Sequence, residues 1–95
     1  MLNKSLYIIK QTSLFKKDRK LIAKQGKNMS KLQEIVTKLA NGEPLPPHNK
    51  DHKLQGDYEG CKECHIAPDW LLIYRIDKNN LILLLTRTGS HSDLF

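Results

Sequence analysis

The stretch "GCKECHIAPDWLLIYRI", residues 60–76, decides the fold. Its first half, Cys61 to His65, matches the CxxCH pattern that attaches a c-type haem. Its second half, "WLLIYRI", is rich in aromatic and branched residues and reads as a strand. "DKNN", Asp77 to Asn80, is a turn, and "LILLLTRTG", residues 81–89, supplies the strand that returns. "CKECHIA", bounded by Gly60 and Pro68, reads as a short strand of its own. Alternation along it puts Cys61, Glu63 and His65 on one face and Cys64 and Ile66 on the other. Two cysteines on opposite faces cannot both bond one haem edge. A zinc grip by Cys61, Cys64 and His65 with His52 meets the same objection, since CxxC holds zinc from a tight turn. Cys64 reads instead as a small buried hydrophobe. No cofactor and no metal is expected.

Upstream of this stretch the periodicity is helical. Ser13 to Gln25 carries Leu14 and Leu21, and Phe15 and Ile22, each pair seven apart on one stripe. Lys16, Lys17, Arg19, Lys20 and Lys24 lie mainly around that stripe, and Gly26 is a stop. A second helix begins at the capping box "SKLQ", Ser30 to Gln33. Leu32, Ile35, Val36 and Leu39 follow at helical spacing, and "NG" at 41–42 ends it. "MLNKSLYIIK", residues 1–10, suits a strand with Tyr7 and Ile9 on one face and Leu6 and Ile8 on the other. "EPLPPHNKDH" has three prolines in ten residues and marks a loop. The expected fold is α+β: a β-α-α-β-β-β order, an antiparallel sheet, and a two-helix hairpin on one of its faces.

All 95 residues are expected in one domain, with 39% hydrophobic composition to build a modest core. The net charge of +6 is unevenly spread. Residues 1–50 hold eleven basic and three acidic side chains, whereas residues 51–95 hold five basic and seven acidic. A basic half beside a nearly neutral half points to a polyanionic partner reached from one side. Residues 1–10 lack the apolar core of a signal peptide, and "LILLL" is far short of the ~20 residues that span a bilayer. A reducing cytoplasm and no membrane are therefore expected.

Glu63 and His65 share a strand face, His52, Asp69 and His91 stand in strand-edge or loop contexts, and Arg87 adds a permanent cation. Each alone has an ordinary structural reading. Together, in a protein with basic helices, they suggest acid–base chemistry on a phosphodiester.

Three motifs combine here: DHxLxG (Asp51–Gly56), HxxPDxLLxY (His65–Tyr74) and RxGxHxxLF (Arg87–Phe95). In this combination the chain resembles the YafQ branch of the RelE/ParE toxin superfamily, over nearly its whole length. The resemblance implies a RelE-like fold related to microbial ribonucleases. It also implies metal-independent cleavage of mRNA in the ribosomal A site, and silencing by a cognate antitoxin in a hetero-oligomeric complex. The family's functional positions fall on His52, His65, Asp69, Arg87, His91 and Phe95. Glu63 stands where close relatives often carry Asp. The resemblance implies transesterification by the ribose 2′-OH. The three histidines would supply acid and base, Asp69 would orient a histidine or act as the base itself, Arg87 would neutralise the phosphorane, and Phe95 would stack a base. The helix cations Lys16, Lys17, Arg19, Lys20 and Lys24 would bind rRNA. A non-catalytic basic RNA-binding module and the gyrase-directed branch of the superfamily are the alternatives. The titratable groups argue against both, because a binding surface would use Lys and Arg in their place.

Overall fold

β4 (Trp70–Asp77) and β5 (Ile82–Gly89) form the antiparallel hairpin that the sequence marks most clearly. The Asp77 carboxylate closes it, accepting the backbone N–H groups of Asn79 and Asn80 at 3.0 and 3.1 Å. β3 (Lys62–Ala67) pairs antiparallel with β4, and the two-residue β2 (His52–Lys53) pairs with β3. β1 (Ile8–Gln11) lies on the far side of β5, so the order is β1-β5-β4-β3-β2. The computed structural model describes residues 5–95; the first four positions of the expected N-terminal strand lie outside them.

The sheet is mixed rather than wholly antiparallel, because β1 runs parallel to β5. That direction delivers the chain to the start of α1 (Ser13–Lys24) at the same edge. There Thr12 caps the helix, accepting the Phe15 N–H at 3.0 Å while its own hydroxyl donates to the Thr86 carbonyl at 2.7 Å. Tyr7 is buried, but Leu6, Ile8 and Ile9 are exposed, so the expected two-faced alternation is not realised. α1 is also less apolar inward than its pattern suggests. Phe15 and Ile22 are buried, whereas Leu14 and Leu21 are half exposed.

α2 (Met29–Ala40) is capped two residues before the expected cap. Asn28 is the N-cap, its Oδ1 accepting the Ser30 N–H at 3.1 Å, and Gln33 donates to Thr37 instead of reaching back. Leu32, Ile35, Val36 and Leu39 are buried, and the helix ends where Gly42 takes φ +74°. The proline-rich stretch is more ordered than a plain loop. It contains a 3₁₀ turn (Pro47–Asn49) and then β2.

The two faces of the sheet hold different layers. Cys64, Ile66, Trp70, Leu72, Tyr74, Leu83 and Leu85 pack under both helices. On the opposite face Leu71 and Ile73 pack with Leu94 of the short α3 (His91–Leu94), beside Leu54, Tyr58 and Cys61. Cys61 and Cys64 thus lie on opposite faces, as the alternation requires. One irregularity matters for function. Ile73 pairs with Arg87 and Tyr74 with Leu85, so Thr86 is an extra residue that bulges β5. The bulge turns Arg87 away from the helix side, where unbroken alternation after Leu83 and Leu85 would have put it. Among the described residues, no helix is long and apolar enough to cross a membrane.

Candidate active site

The face opposite α1 and α2 carries a line of rings at one end. His52 and His65 have centroids 6.5 Å apart, His65 and His91 5.8 Å, His91 and Phe95 6.3 Å, and Phe95 and Tyr58 5.6 Å. Each ring comes from a different local device. His65 sits mid-strand on β3, facing outward by the alternation that buries Cys64 and Ile66. His52 is on β2, whose register places it opposite Glu63. His91 opens α3, where Ser90 caps the turn by accepting the Asp93 N–H.

Glu63 is the buried charge of the site, with only 4% of its surface exposed. Its Oε1 lies 3.4 Å from His52 Nε2 and 3.8 Å from His65 Nε2. It therefore faces two imidazoles and has little surface left for a substrate. The other nitrogen of His52 is fixed. Nδ1 lies 2.6 Å from the Lys50 carbonyl, which can only accept, so Nδ1 carries a proton and Nε2 faces the carboxylate. Asp51 steadies this segment, accepting from Tyr74 Oη and from Lys62 Nζ at 2.9 Å.

Asp69, in the turn between β3 and β4, binds His91 twice. Its Oδ1 accepts the His91 backbone N–H at 3.2 Å and lies 3.4 Å from His91 Nδ1. The backbone bond first, and the ring second, hold the Asp69 carboxyl below the usual carboxylate range. Arg87 stands at the far side of the face, its guanidinium bound by Asp18 of α1 and flanked by the Tyr58 hydroxyl. The Asp18 hydrogen bonds raise its already high pKa further. Burial pushes the Cys64 thiol up to about 12, so it is an inert core group.

The family of bacterial toxins of type II toxin–antitoxin systems called YafQ matches residues 7–95. The chain belongs to the YafQ family. It is 42% identical to the mRNA interferase toxin YafQ of Escherichia coli K12 over 88 residues, covering 92% of this chain and 94% of that one. YafQ in the E. coli DinJ–YafQ toxin–antitoxin complex superposes with a TM-score of 0.86 at 41% identity, covering 95% of this chain and 98% of that one. A metal-bound toxin from Helicobacter pylori superposes at 0.88 with 43% identity, covering 94% and 99%.

For this YafQ-family chain the structure brings His52, Glu63, His65, Asp69, His91 and Phe95 together, with Arg87 on the same face. The cations of α1 (Lys16, Lys17, Arg19, Lys20 and Lys24) are all exposed and lie on the helix, apart from the rings. Ligand atoms of Glu63, His65 and His91 lie within 4.8 Å of one another, close enough to hold a metal ion. Sequence reasoning missed three contributors. Tyr58 had no signal beyond being aromatic between two glycines. Asp51 stands next to His52 in the same motif. Asp18 was legible in principle, since it is three residues after Phe15 and four before Ile22, on the stripe that packs inward.

Proposed function

We propose that this protein is the toxin of a type II pair that cleaves mRNA on the ribosome by transesterification, without a metal. The observation that carries the reading is the convergence of three imidazoles, backed by Glu63 and Asp69, on an open sheet face that also holds an arginine. Imidazole is a side chain that can both take and give a proton, so three of them in one place serve proton transfer better than binding. One imidazole takes the proton of a ribose 2′-OH. The oxygen forms a bond to the adjacent phosphorus, the bond to the 5′-oxygen breaks, and a second imidazole, as imidazolium, gives that oxygen its proton. The products are a 2′,3′-cyclic phosphate and a 5′-hydroxyl. Arg87 neutralises charge on the phosphorane. Glu63 orients and electrostatically supports His52 and His65, and Asp69 does the same for His91. Phe95, 61% exposed at the end of the line of rings, offers a stacking platform for a base.

The exposed lysines of α1 suit rRNA, and an antitoxin partner follows by similarity to the DinJ–YafQ complex. A metal ion at Glu63, His65 and His91 would occupy the nitrogens that move protons, so it would inhibit. The test is an mRNA carrying a single 2′-deoxynucleotide at the scissile position. Ribosome-bound toxin should still bind it and should fail to cut it, whereas cleavage of the unmodified message should survive EDTA at Mg²⁺ levels that keep ribosomes intact. Cleavage of the deoxy message, or a 5′-phosphate on the product, would show that water is the nucleophile.

A further inference from the structure

We infer that Asp18 is a positioning residue for Arg87: its carboxylate, delivered by α1, fixes the direction of the guanidinium across the open face. The inference rests on the phosphate-binding role proposed for Arg87. Asp18 is the only acid in a helix that otherwise carries five cations, Lys16, Lys17, Arg19, Lys20 and Lys24. It is also the only residue of α1 besides Phe15 and Ile22 that is not exposed. Its two oxygens are fully engaged. Oδ2 accepts from Arg87 Nε at 2.7 Å and from the Thr88 backbone N–H at 3.2 Å, and Oδ1 accepts from Arg87 Nη2 at 3.1 Å.

This arrangement has a geometric cause. β1 pairs with β5 only as far as Leu85, so the edge of β5 from Thr86 onward has no neighbouring strand. α1 takes over that edge, with Thr12 on the Thr86 carbonyl and Asp18 on the Thr88 N–H. The bulge at Thr86 has meanwhile turned Arg87 to the reaction face. A long side chain at such a place has several rotamers, and the two-point grip selects one. Of the five N–H groups of the fork, the grip uses two, the Tyr58 hydroxyl lies against the guanidinium, and the remainder is left for a phosphate. An acid beside a phosphate-binding cation weakens its charge. Its benefit is therefore orientation, which matters because a displacement of about 1 Å can cost on the order of 10²-fold in rate. The same helix presents its cations outward, so whatever holds α1 on a polyanion also holds Arg87.

A double-mutant cycle under single-turnover conditions on saturating ribosomes tests this. Asp18→Asn should slow cleavage by about 10- to 10²-fold with ribosome affinity unchanged. Arg87→Ala should slow it more, and adding Asp18→Asn to Arg87→Ala should have no further effect. Should Asp18→Asn fail to fold at the assay temperature, Asp18→Glu keeps the charge one methylene away, and its smaller defect should vanish in the same background. Independent, multiplying defects would mean that Asp18 acts through the stability of the α1–β5 edge, and the inference falls. A folded Asp18→Asn that cuts at the wild-type rate overturns it equally. If Arg87→Ala alone cuts at full rate, the phosphate role of Arg87 falls, and the inference with it.

Discussion

Replacing Glu63 by Gln removes a charge while keeping the shape of a buried side chain. The two imidazole contacts, at 3.4 and 3.8 Å, are ion pairs without a hydrogen bond, so the effect is Coulombic. With an effective dielectric of about 20, a carboxylate at those distances stabilises an imidazolium by about 4–5 kcal/mol. Solvent reduces this, because the His52 side chain is 48% exposed and the His65 side chain 18%. A retained effect of roughly 2–3 kcal/mol corresponds to about 30- to 150-fold in the rate of a step that creates the imidazolium. The assay is single-turnover cleavage of a ribosome-bound message by rapid quench, with ribosome affinity measured in parallel. The mutant should bind normally and cut slowly. A Glu63→Gln protein that is folded and cuts within twofold of wild type would show that no imidazolium forms beside Glu63, and the role given to His52 and His65 would be lost.

His91→Ala should slow cleavage by ~10²–10⁴-fold and leave ribosome binding intact. Reversing Lys16 and Lys20 to Glu should do the opposite, weakening binding and flattening its salt dependence, as a filter-binding salt titration would show. Native protein treated with iodoacetamide should be labelled at Cys61 and spared at Cys64, whose buried thiol stays protonated; peptide mass mapping separates the two. Asp69 has its carboxyl depressed, so its grip on His91 is present above the ordinary carboxylate pKa and is lost as pH falls through the lower folded value. Below about pH 4 the His91 amide and ring resonances should move together, and Asp69→Asn should abolish that pH dependence.

The β3–β4–β5 meander and both helices were legible because each obeys one period. Side chains alternate along 62–66 and again along 70–76, on either side of a turn, and apolar residues in α2 recur at helical spacing. What escaped was set by distant partners. The parallel pairing of β1 depends on a strand some seventy positions away, and Ile8 and Ile9 carry no mark of direction. The bulge at Thr86 is invisible because "LLLTRTG" reads as unbroken alternation. The capping box at Ser30 lost to Asn28, an equally good cap placed to lengthen the helix. In the site, the histidines stood out by chemistry and by family motif. The burial of Glu63 between two of them needed the β2–β3 register, and the partner of Arg87 needed the tertiary fold.

The closure of β5 by β1 and α1 also sets a timetable. Thr12 and Thr86, which hydrogen-bond across that edge, are 74 positions apart. At translation speeds of about 5–20 residues per second, roughly 4 to 15 s separate their synthesis. During that interval the nascent α1 has its full set of cations, but Phe15 and Ile22 lack the strand that covers them. Contacts of such long range also slow the final search once the whole segment has emerged. The cations of α1 are therefore in place before the sheet that carries the histidines is complete, and Phe15 and Ile22 gain their cover only when the last strand arrives.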